Sequence, residues 1–572
     1  MYEILDDITT GKGTLEHLDL LAELAEVVKD SSMCGLGQTA ANPVLSTLKY
    51  YRHEYIEHIE NKRCPAGVCK ELVGAPCNNA CPIDTEAWRY VAHIARGEYE
   101  DAYKVIRETN PFPSVCARVC DHKCEQNCRL GTTGVEPVAI RSLKRFITDN
   151  VDPSVYTPEV PPANGDASEI AIIGSGPAGL TAAHMLSLKG YKSTIFEAED
   201  EPGGMLMNCI PSYRLPRETL TKEIASILDE NIDLKCNQKL GTDFNVRGLI
   251  AEGFKVVFLA IGAQKGRRLH LEDEDTGGVY PSIEFLKAFN LNGESWASGR
   301  VGVIGGGNSA IDAARTALRQ EGVDKVTVIY RRTQQEMPAF EEEIHACEEE
   351  GIALKTLTTP TRILSHQGRI AGIECLQNEL GDIDSSGRRR PVPVKGSEFT
   401  IPLDTLIIAI SEQPDTDSID PEQLSDLKIN HNGTIWVDPD TLATSYQGVF
   451  AGGDVATGPN TVIDAIAAGR KFAVMADRYL NNEPLKQSRQ PKLPSIYLEP
   501  WALTEEEQND QSRKHAPKLD CAVSLKCFDE VEQAYDEADA KFEARRCLRC
   551  DLEFTSGLKE ENGILKSEKV ID

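Results

Sequence analysis

Four cysteines stand at a constant interval: Cys116, Cys120, Cys124 and Cys128 are each four residues apart in NPFPSVCARVCDHKCEQNCRLG. Cys77 and Cys81 precede them in APCNNACPID, and Cys547 and Cys550 follow far downstream in RCLRC. Iron–sulfur clusters need thiolates drawn together from such short spacings, and an ordinary core would not repeat C-x3-C three times. The chain has 17 cysteines, and its N-terminus, MYEILDDITTGKG, lacks the basic start and apolar core of a secretory signal. Metal or redox chemistry is therefore expected rather than a disulfide scaffold. Cys209, Cys236, Cys347 and Cys375 are scattered and read as small buried hydrophobes. A smaller group, His58 with Cys64 and Cys69 in HIENKRCPAGVC, could bind zinc, feed an iron–sulfur cluster or be inert.

Two glycine loops offer a second chemistry. Gly174, Gly176 and Gly179 follow the apolar run Ile170 to Ile173, with Pro177 and Ala178 opening a helix. This is G-x-G-x-x-G between a strand and a helix, and the helix N-terminus can take a pyrophosphate. Glu197, eighteen residues past Gly179, can bind a ribose diol. The second loop carries Gly305, Gly307, Asn308, Ser309 and Ala310 in G-x-G-x-x-A spacing. The strand after it ends in Arg331 and Arg332 rather than an acid. Arginines there accommodate a 2′-phosphate, which favours NADP(H) over NAD(H). A third segment, GVFAGGD, brings Gly453 and Asp454 before a small-residue helix from Thr461, and completes a two-dinucleotide pattern of FAD first and NADP(H) second.

These groups need a scaffold. The expected fold is α/β, with two Rossmann-like dinucleotide-binding domains of the glutathione-reductase type preceded by α-helical iron–sulfur domains. The expected divisions are a helical domain at 1–62, an iron–sulfur domain at 63–150, and a Pro-rich linker at 151–168. An FAD-binding part at 169–295 follows, then an NADP(H) domain at 296–430 and the second FAD part at 431–485. A C-terminal extension at 486–572 carries the last C-x-x-C. Helices are expected over 15–28, near 44–59 and over 528–543. The net charge of −29 argues against nucleic acid, and no run of 18 apolar residues suggests a membrane span. A cytoplasmic protein is expected.

Residues from about 72 to 480 resemble the glutamate synthase small subunit, dihydropyrimidine dehydrogenase and the large subunit of NADH-dependent ferredoxin:NADP oxidoreductase. The resemblance rests on the cysteine pattern, on GGMLMNCIPSYRLP from Gly203, and on TQQEMPA after the arginines. It implies two [4Fe-4S] clusters, with Gly203, Gly204 and Met205 along the FAD and Arg214 near it. In that family R-C-L-x-C precedes the position of Cys77; here it stands at Arg546 to Cys550. The resemblance implies one ligand set of Cys547, Cys550, Cys77 and Cys128. The other would be Cys81, Cys120 and Cys124, with Glu136 or Cys116 as fourth.

The first sixty residues resemble the C-terminal helical domain of the NADH-binding flavoprotein subunit of complex I and of bifurcating hydrogenases. There an S-C-G-x-C-x-P-C triplet and a later cysteine share a [4Fe-4S] cluster. The loop Ser32 to Gly37 matches the later element, and the triplet is absent. The resemblance implies that a partner subunit supplies it, with Cys34 completing a shared cluster; the other reading of Cys34 is a free thiol. The expected activity is an FAD- and iron–sulfur-dependent NADP(H) oxidoreductase subunit of an electron-bifurcating, ferredoxin/NAD-linked transhydrogenase-type complex, with an NADH-binding flavoprotein-like subunit and a ferredoxin or other iron–sulfur protein as partners. The alternatives are a glutamate synthase small subunit and a non-catalytic electron-wiring subunit.

Overall fold

In the computed structural model the apolar run Ile170–Ile173 is the middle strand of a five-stranded parallel sheet. The order is Val449–Ala451, Val256–Leu259, Ile170–Ile173, Ser193–Phe196, Ile232–Lys235. The inner strands are buried along their whole length, as a parallel sheet covered on both faces requires. The helices Pro177–Ser187 and Val462–Leu480 pack against each other beside this sheet. A Cβ on Gly469 would stand 2.3 Å from the Ala178 carbonyl, so glycine permits that approach.

The structure describes residues 1–572 except 67, 70, 71, 164–168, 385, 386, 420–425, 487–493, 495, 502, 555–557, 562, 563 and 568–572. The last part of the expected linker and much of the charged chain end thus lie outside the described residues.

A second parallel sheet runs in the order Val279–Pro281, Thr405–Ile408, Gly299–Ile304, Val323–Ile329, Ala353–Lys355. The two chain crossings between the sheets pair as a short antiparallel ribbon, Lys265–Gly266 with Glu412–Gln413. An antiparallel sheet built on the long strand Arg369–Ile383 adjoins the second unit; the sequence reading did not separate it.

The N-terminal region is helical. Leu18, Leu21 and Ala25 of Leu15–Ser31 are fully buried. The helix expected near 44–59 is two, Asn42–Tyr50 and Arg52–Glu60, broken at Tyr51 with φ −126° and ψ 26°. The cysteine-rich part follows as Pro76–Ala80, Ala87–Arg96, Tyr99–Arg107, Pro113–Val119, Lys123–Gln126 and Ile140–Asn150.

The tail lies on this helical part. Of the stretch 528–543 only Glu537–Arg545 is helical, capped by Asp536. Before it the backbone is spent elsewhere: the Val531 N–H donates to the Tyr213 carbonyl. Tyr535, Ala540 and Ala544 share a core with Tyr90, Leu143 and Ile147. The buried Glu543 carboxylate accepts the N–H of Ala139 at 2.7 Å and of Lys514 at 2.8 Å, and pairs with Arg546 at 2.6 Å. Among the described residues no helix is long and apolar enough to cross a membrane.

Candidate functional site

The first glycine loop forms a cradle. Gly174 has φ +104°, and a Cβ there would lie 2.5 Å from the Ala260 carbonyl. Gly176, by contrast, would meet nothing within 4 Å, so its face is open for a phosphate to approach. Gly203 donates its N–H to Ser175 O at 3.1 Å, and a Cβ on Gly204 would stand 3.0 Å from Gly176 Cα. Met205 begins the short helix after that turn. Glu197 is buried at the end of Ser193–Phe196; its carboxylate accepts the N–H of Ser175 and of Glu199, each at 2.9 Å. Gly453 abuts Ala178 at the start of the first helix. Asp454 accepts one N–H, from Asn460 at 3.2 Å, and burial pushes its carboxyl up to about 7. A buried carboxylate so thinly partnered suits a ligand hydroxyl. Thr461 caps Val462–Leu480, accepting the Asp464 N–H, so this helix begins beside Asp454. Open glycine face, ribose acid and an aspartate with a single N–H partner together fit an FAD.

The second loop opens into a cavity of about 2230 Å³, whose lining includes Gly305, Gly307, Asn308 and Ser309 as well as Asn460 and Thr461. That is larger than a usual single-ligand pocket, roughly 300–1,000 Å³. Ala310 is buried at the start of the helix Asn308–Leu318. Arg331, Arg332 and Arg388 line the cavity together. Burial, and then the charge of Arg332, holds Arg331 below the usual guanidinium range, and Arg388 adds to this. Such a cationic wall fits an additional phosphate. The two arginines read from the sequence are not equivalent. Arg332 is buried and bound to Asp384 and to the Arg389 carbonyl at 2.7 Å, whereas Arg331 is exposed.

Arg214 is likewise committed within the protein. It pairs with Asp312 at 2.8 Å and Glu343 at 2.9 Å, tying the first dinucleotide unit to the second. Tyr213 beside it lies under the guanidinium groups of Arg315 and Arg319.

Two sets of thiols gather in the helical part. Cys77, Cys128, Cys547 and Cys550 line one small cavity with Trp88 and Leu130. Burial, then the charges of Cys547, Cys128 and Cys550, push the Cys77 thiol far up. Cys81 ends Pro76–Ala80, Cys116 lies in Pro113–Val119, Cys120 caps that helix and Cys124 lies in Lys123–Gln126. Burial comes first in raising Cys116, Cys120 and Cys124; Cys120 acts on both others, and Cys81 acts on Cys120 and Cys124. Thiolates brought together in this way would need cations beside them, and an iron–sulfur cluster would supply them. Glu136 lines the nucleotide cavity. Its carboxylate is exposed and faces His515 at 3.8 Å on the rim of the nucleotide cavity.

The second set is continuous with the flavin cradle: Cys116 and Cys120 share one core with Ala178, Ile463 and Ile466. Lys123 pairs with Asp464 at 2.8 Å, and Arg470 donates to the carbonyls of Ile83 at 2.5 Å and Thr109 at 3.0 Å. These bridges, like Arg388, were not singled out from the sequence; nothing local distinguishes them from surface charges.

His58, Cys64 and Cys69 have ligand atoms all within 4.8 Å of one another. The Nε2 of His58 lies 3.3 Å from Cys69 Sγ, and its Nδ1 lies 2.7 Å from the Glu54 carbonyl. Cys34 is exposed at the cap of Gly35–Thr39, between the exposed Met33 and Leu36.

Two Rossmann-type units, a flavin cradle and packed thiol sets define a pyridine-nucleotide oxidoreductase of the flavin and iron–sulfur kind. Residues 168–469 match the pattern of the pyridine nucleotide-disulphide oxidoreductases, and the chain belongs to that family. Residues 45–154 match dihydropyrimidine dehydrogenase domain II, 4Fe-4S cluster, and residues 1–58 match the NADH-ubiquinone oxidoreductase-F iron-sulfur binding region. The chain is similar to the NADP(+)-dependent formate dehydrogenase subunit beta of Moorella thermoacetica, 36% identical over 98% of this chain and 88% of that one. It is 34% identical to the NADPH-Fe(3+) oxidoreductase subunit beta of Geobacter sulfurreducens, over 96% and 86%. The glutamate synthase [NADPH] small chain of Escherichia coli is 31% identical over 76% of this chain and 95% of that chain.

Proposed function

We propose that this chain is the NADP(H)-reacting flavin and iron–sulfur subunit of a multi-subunit electron-transfer complex. The observation that carries the reading is the single core joining Cys116 and Cys120 to Ala178, Ile463 and Ile466. A thiol set that packs on the flavin cradle is within reach of it for electron transfer.

FAD exchanges hydride with a nicotinamide and single electrons with an iron–sulfur cluster, and the protein fixes where each group sits. Gly176, Glu197, Gly204 and Asp454 would hold the flavin dinucleotide; Gly307, Asn308 and Arg331 would hold NADP(H). Cys81, Cys116, Cys120 and Cys124 would hold one [4Fe-4S] cluster, and Cys77, Cys128, Cys547 and Cys550 the other. Cys116 is preferred to Glu136 because it is buried beside Cys120. Electrons would pass from the nucleotide through the flavin to the second thiol set and then to the set shared with the tail.

Cys34 supports a partner. Its thiol stands exposed between exposed Met33 and Leu36, as a ligand offered across an interface would. The partner would be an NADH-binding flavoprotein-like subunit carrying an S-C-G-x-C-x-P-C triplet. Such a complex would pass electrons between NADP(H), NAD(H) and ferredoxin, with bifurcation at this flavin as the finer form of the proposal. The glutamate synthase reading is second: that relative covers 76% of this chain, whereas the two beta subunits cover 98% and 96%.

His58, Cys64 and Cys69 suit zinc. Nδ1–H donation to Glu54 O leaves the Nε2 lone pair toward the thiols, the usual arrangement of a metal-binding histidine. Hydrogen bonding from Cys69 holds the Cys64 thiol far below its ordinary range.

The decisive experiment is anaerobic purification with partners, metal analysis and NADPH titration. Flavin bleaching followed by cluster reduction, with NADPH far better than NADH, is expected. Cys116→Ala should lose one cluster and Glu136→Ala neither. A flavin that NADPH leaves oxidised would overturn the reading.

A further inference from the structure

The helix Ile140–Asn150 is buried from Ile140 through Ile147, and its Ile140, Leu143 and Ile147 face lies in the hydrophobic core. Lys144 occupies the same face, one turn after Ile140, and is 8% exposed. A leucine would satisfy that position; a lysine ammonium buried there is unfavourable unless an anion meets it. Its neighbours on the helix have their anions. Arg141 pairs with Glu342 and Glu532, and Arg145 with Asp149 and Glu530. Among the described residues no carboxylate is ion-paired with Lys144; the groups that stabilise its charge are Cys116, Cys120, Cys124 and Cys81, in that order. The helix packs on Pro113–Val119 and Lys123–Gln126, which bring three of those cysteines to it.

We propose that Lys144 is the built-in countercharge of the second thiol set and raises the reduction potential of the iron–sulfur cluster held there. The proposal rests on the ligand set given above. A cluster on four thiolates is negatively charged, and accepting one electron from the reduced flavin makes it one unit more negative, with no bond made or broken. A fixed positive charge in a low-dielectric site favours the more negative state. Among the described residues, the arginines beside the other thiol set are paired. Arg129, beside Cys550, is paired with Glu553 at 2.7 Å, and Arg549 with Asp551 at 2.9 Å. The set nearest the flavin is therefore the one biased toward holding an electron.

The test is a redox titration, followed by electron paramagnetic resonance, of the full-length holoprotein carrying Lys144→Met, Lys144→Gln or Lys144→Arg. Met and Gln should lower the midpoint of one cluster so that its reduced-to-oxidised ratio at fixed potential falls at least tenfold, about 59 mV for a one-electron couple. The other cluster and the flavin should not move, and Arg should retain the wild-type value. Unchanged midpoints in Met and Gln with iron retained would overturn the proposal. If Met and Gln lose the cluster, Arg decides: a retained cluster at the wild-type midpoint supports the charge, whereas loss in Arg too shows that lysine serves packing alone. Cys116→Ala separates the premises: an unchanged iron count there removes the ligand set itself, not the role of Lys144 toward it.

Discussion

The carboxylate of Glu223, in the flavin unit, accepts the backbone N–H of Ser114 at 2.6 Å and of Val115 at 2.8 Å. Those are the first free donors of Pro113–Val119, the helix that ends at Cys120. One buried acid thus caps, from another unit, the helix that carries two thiols of the second set. Glu223→Ala should destabilise this junction by about 2–3 kcal/mol, since hydrogen bonds to a charged group are lost in a buried place. Calorimetry should show a lower unfolding temperature, and stopped-flow absorbance a slower cluster reduction with flavin reduction by NADPH unchanged. Equal slowing of both steps would count against a role at the junction.

Arg331 lines the nucleotide cavity, whereas Arg332 is held by Asp384. Arg331→Ala should raise the KM for NADPH roughly tenfold or more, the scale of one charge-assisted phosphate contact, and leave the KM for NADH nearly unchanged. Arg332→Ala should act mainly on stability. Steady-state kinetics with both nucleotides distinguishes the two, and a reversed pattern would move the phosphate contact to Arg332.

Cys547 and Cys550 line the cavity that also holds Cys77 and Cys128. Truncation after Phe542 should remove roughly four iron atoms per chain, one [4Fe-4S] complement, while the flavin remains. Iron and flavin analysis of the purified truncation settles it. A full iron count would mean that the tail thiols are not ligands.

Burial raises the Asp454 carboxyl to about 7, well above the unfolded value of about 4. The folded flavin-free chain therefore binds this proton more tightly than the unfolded chain. Its contribution favours folding below about pH 4 and is lost as pH rises toward 7. The flavin-free wild type should lose thermal stability relative to Asp454→Asn across that window. Parallel curves for the two proteins would show that the carboxyl does not titrate there.

Much of the site was legible because it follows from backbone geometry and short spacing. Gly174 and Gly176 can be read from a strand, a helix and the distance between them. Arg331 follows a strand whose end position is fixed by the same pattern. What could not be read depends on distant partners. Arg214 meets Asp312 and Glu343 only after two units have docked. The stretch 528–543 has helical composition, yet Val531 finds its acceptor on Tyr213 and the helix begins later. Glu136 or Cys116 was undecidable from spacing, because helix packing determines which side chain faces Cys120. Lys144 was legible and overlooked: Ile140, Leu143 and Ile147 mark a core face, and a lysine on it breaks the pattern.

The residues that line one cavity with Cys77 and Cys128 are translated only after both dinucleotide units have been made. Closing that cavity spans most of the chain, and a loop this long adds entropy only slowly with its length. The cost is mainly one of time. A nascent chain released before Cys547 would have the glycines, acids and arginines for both nucleotides, but half of one thiol set. It could accept reducing equivalents and lack a complete outlet for them. On the proposed ligand sets, the cluster site shared with the tail would be complete only once Cys547 and Cys550 have been made.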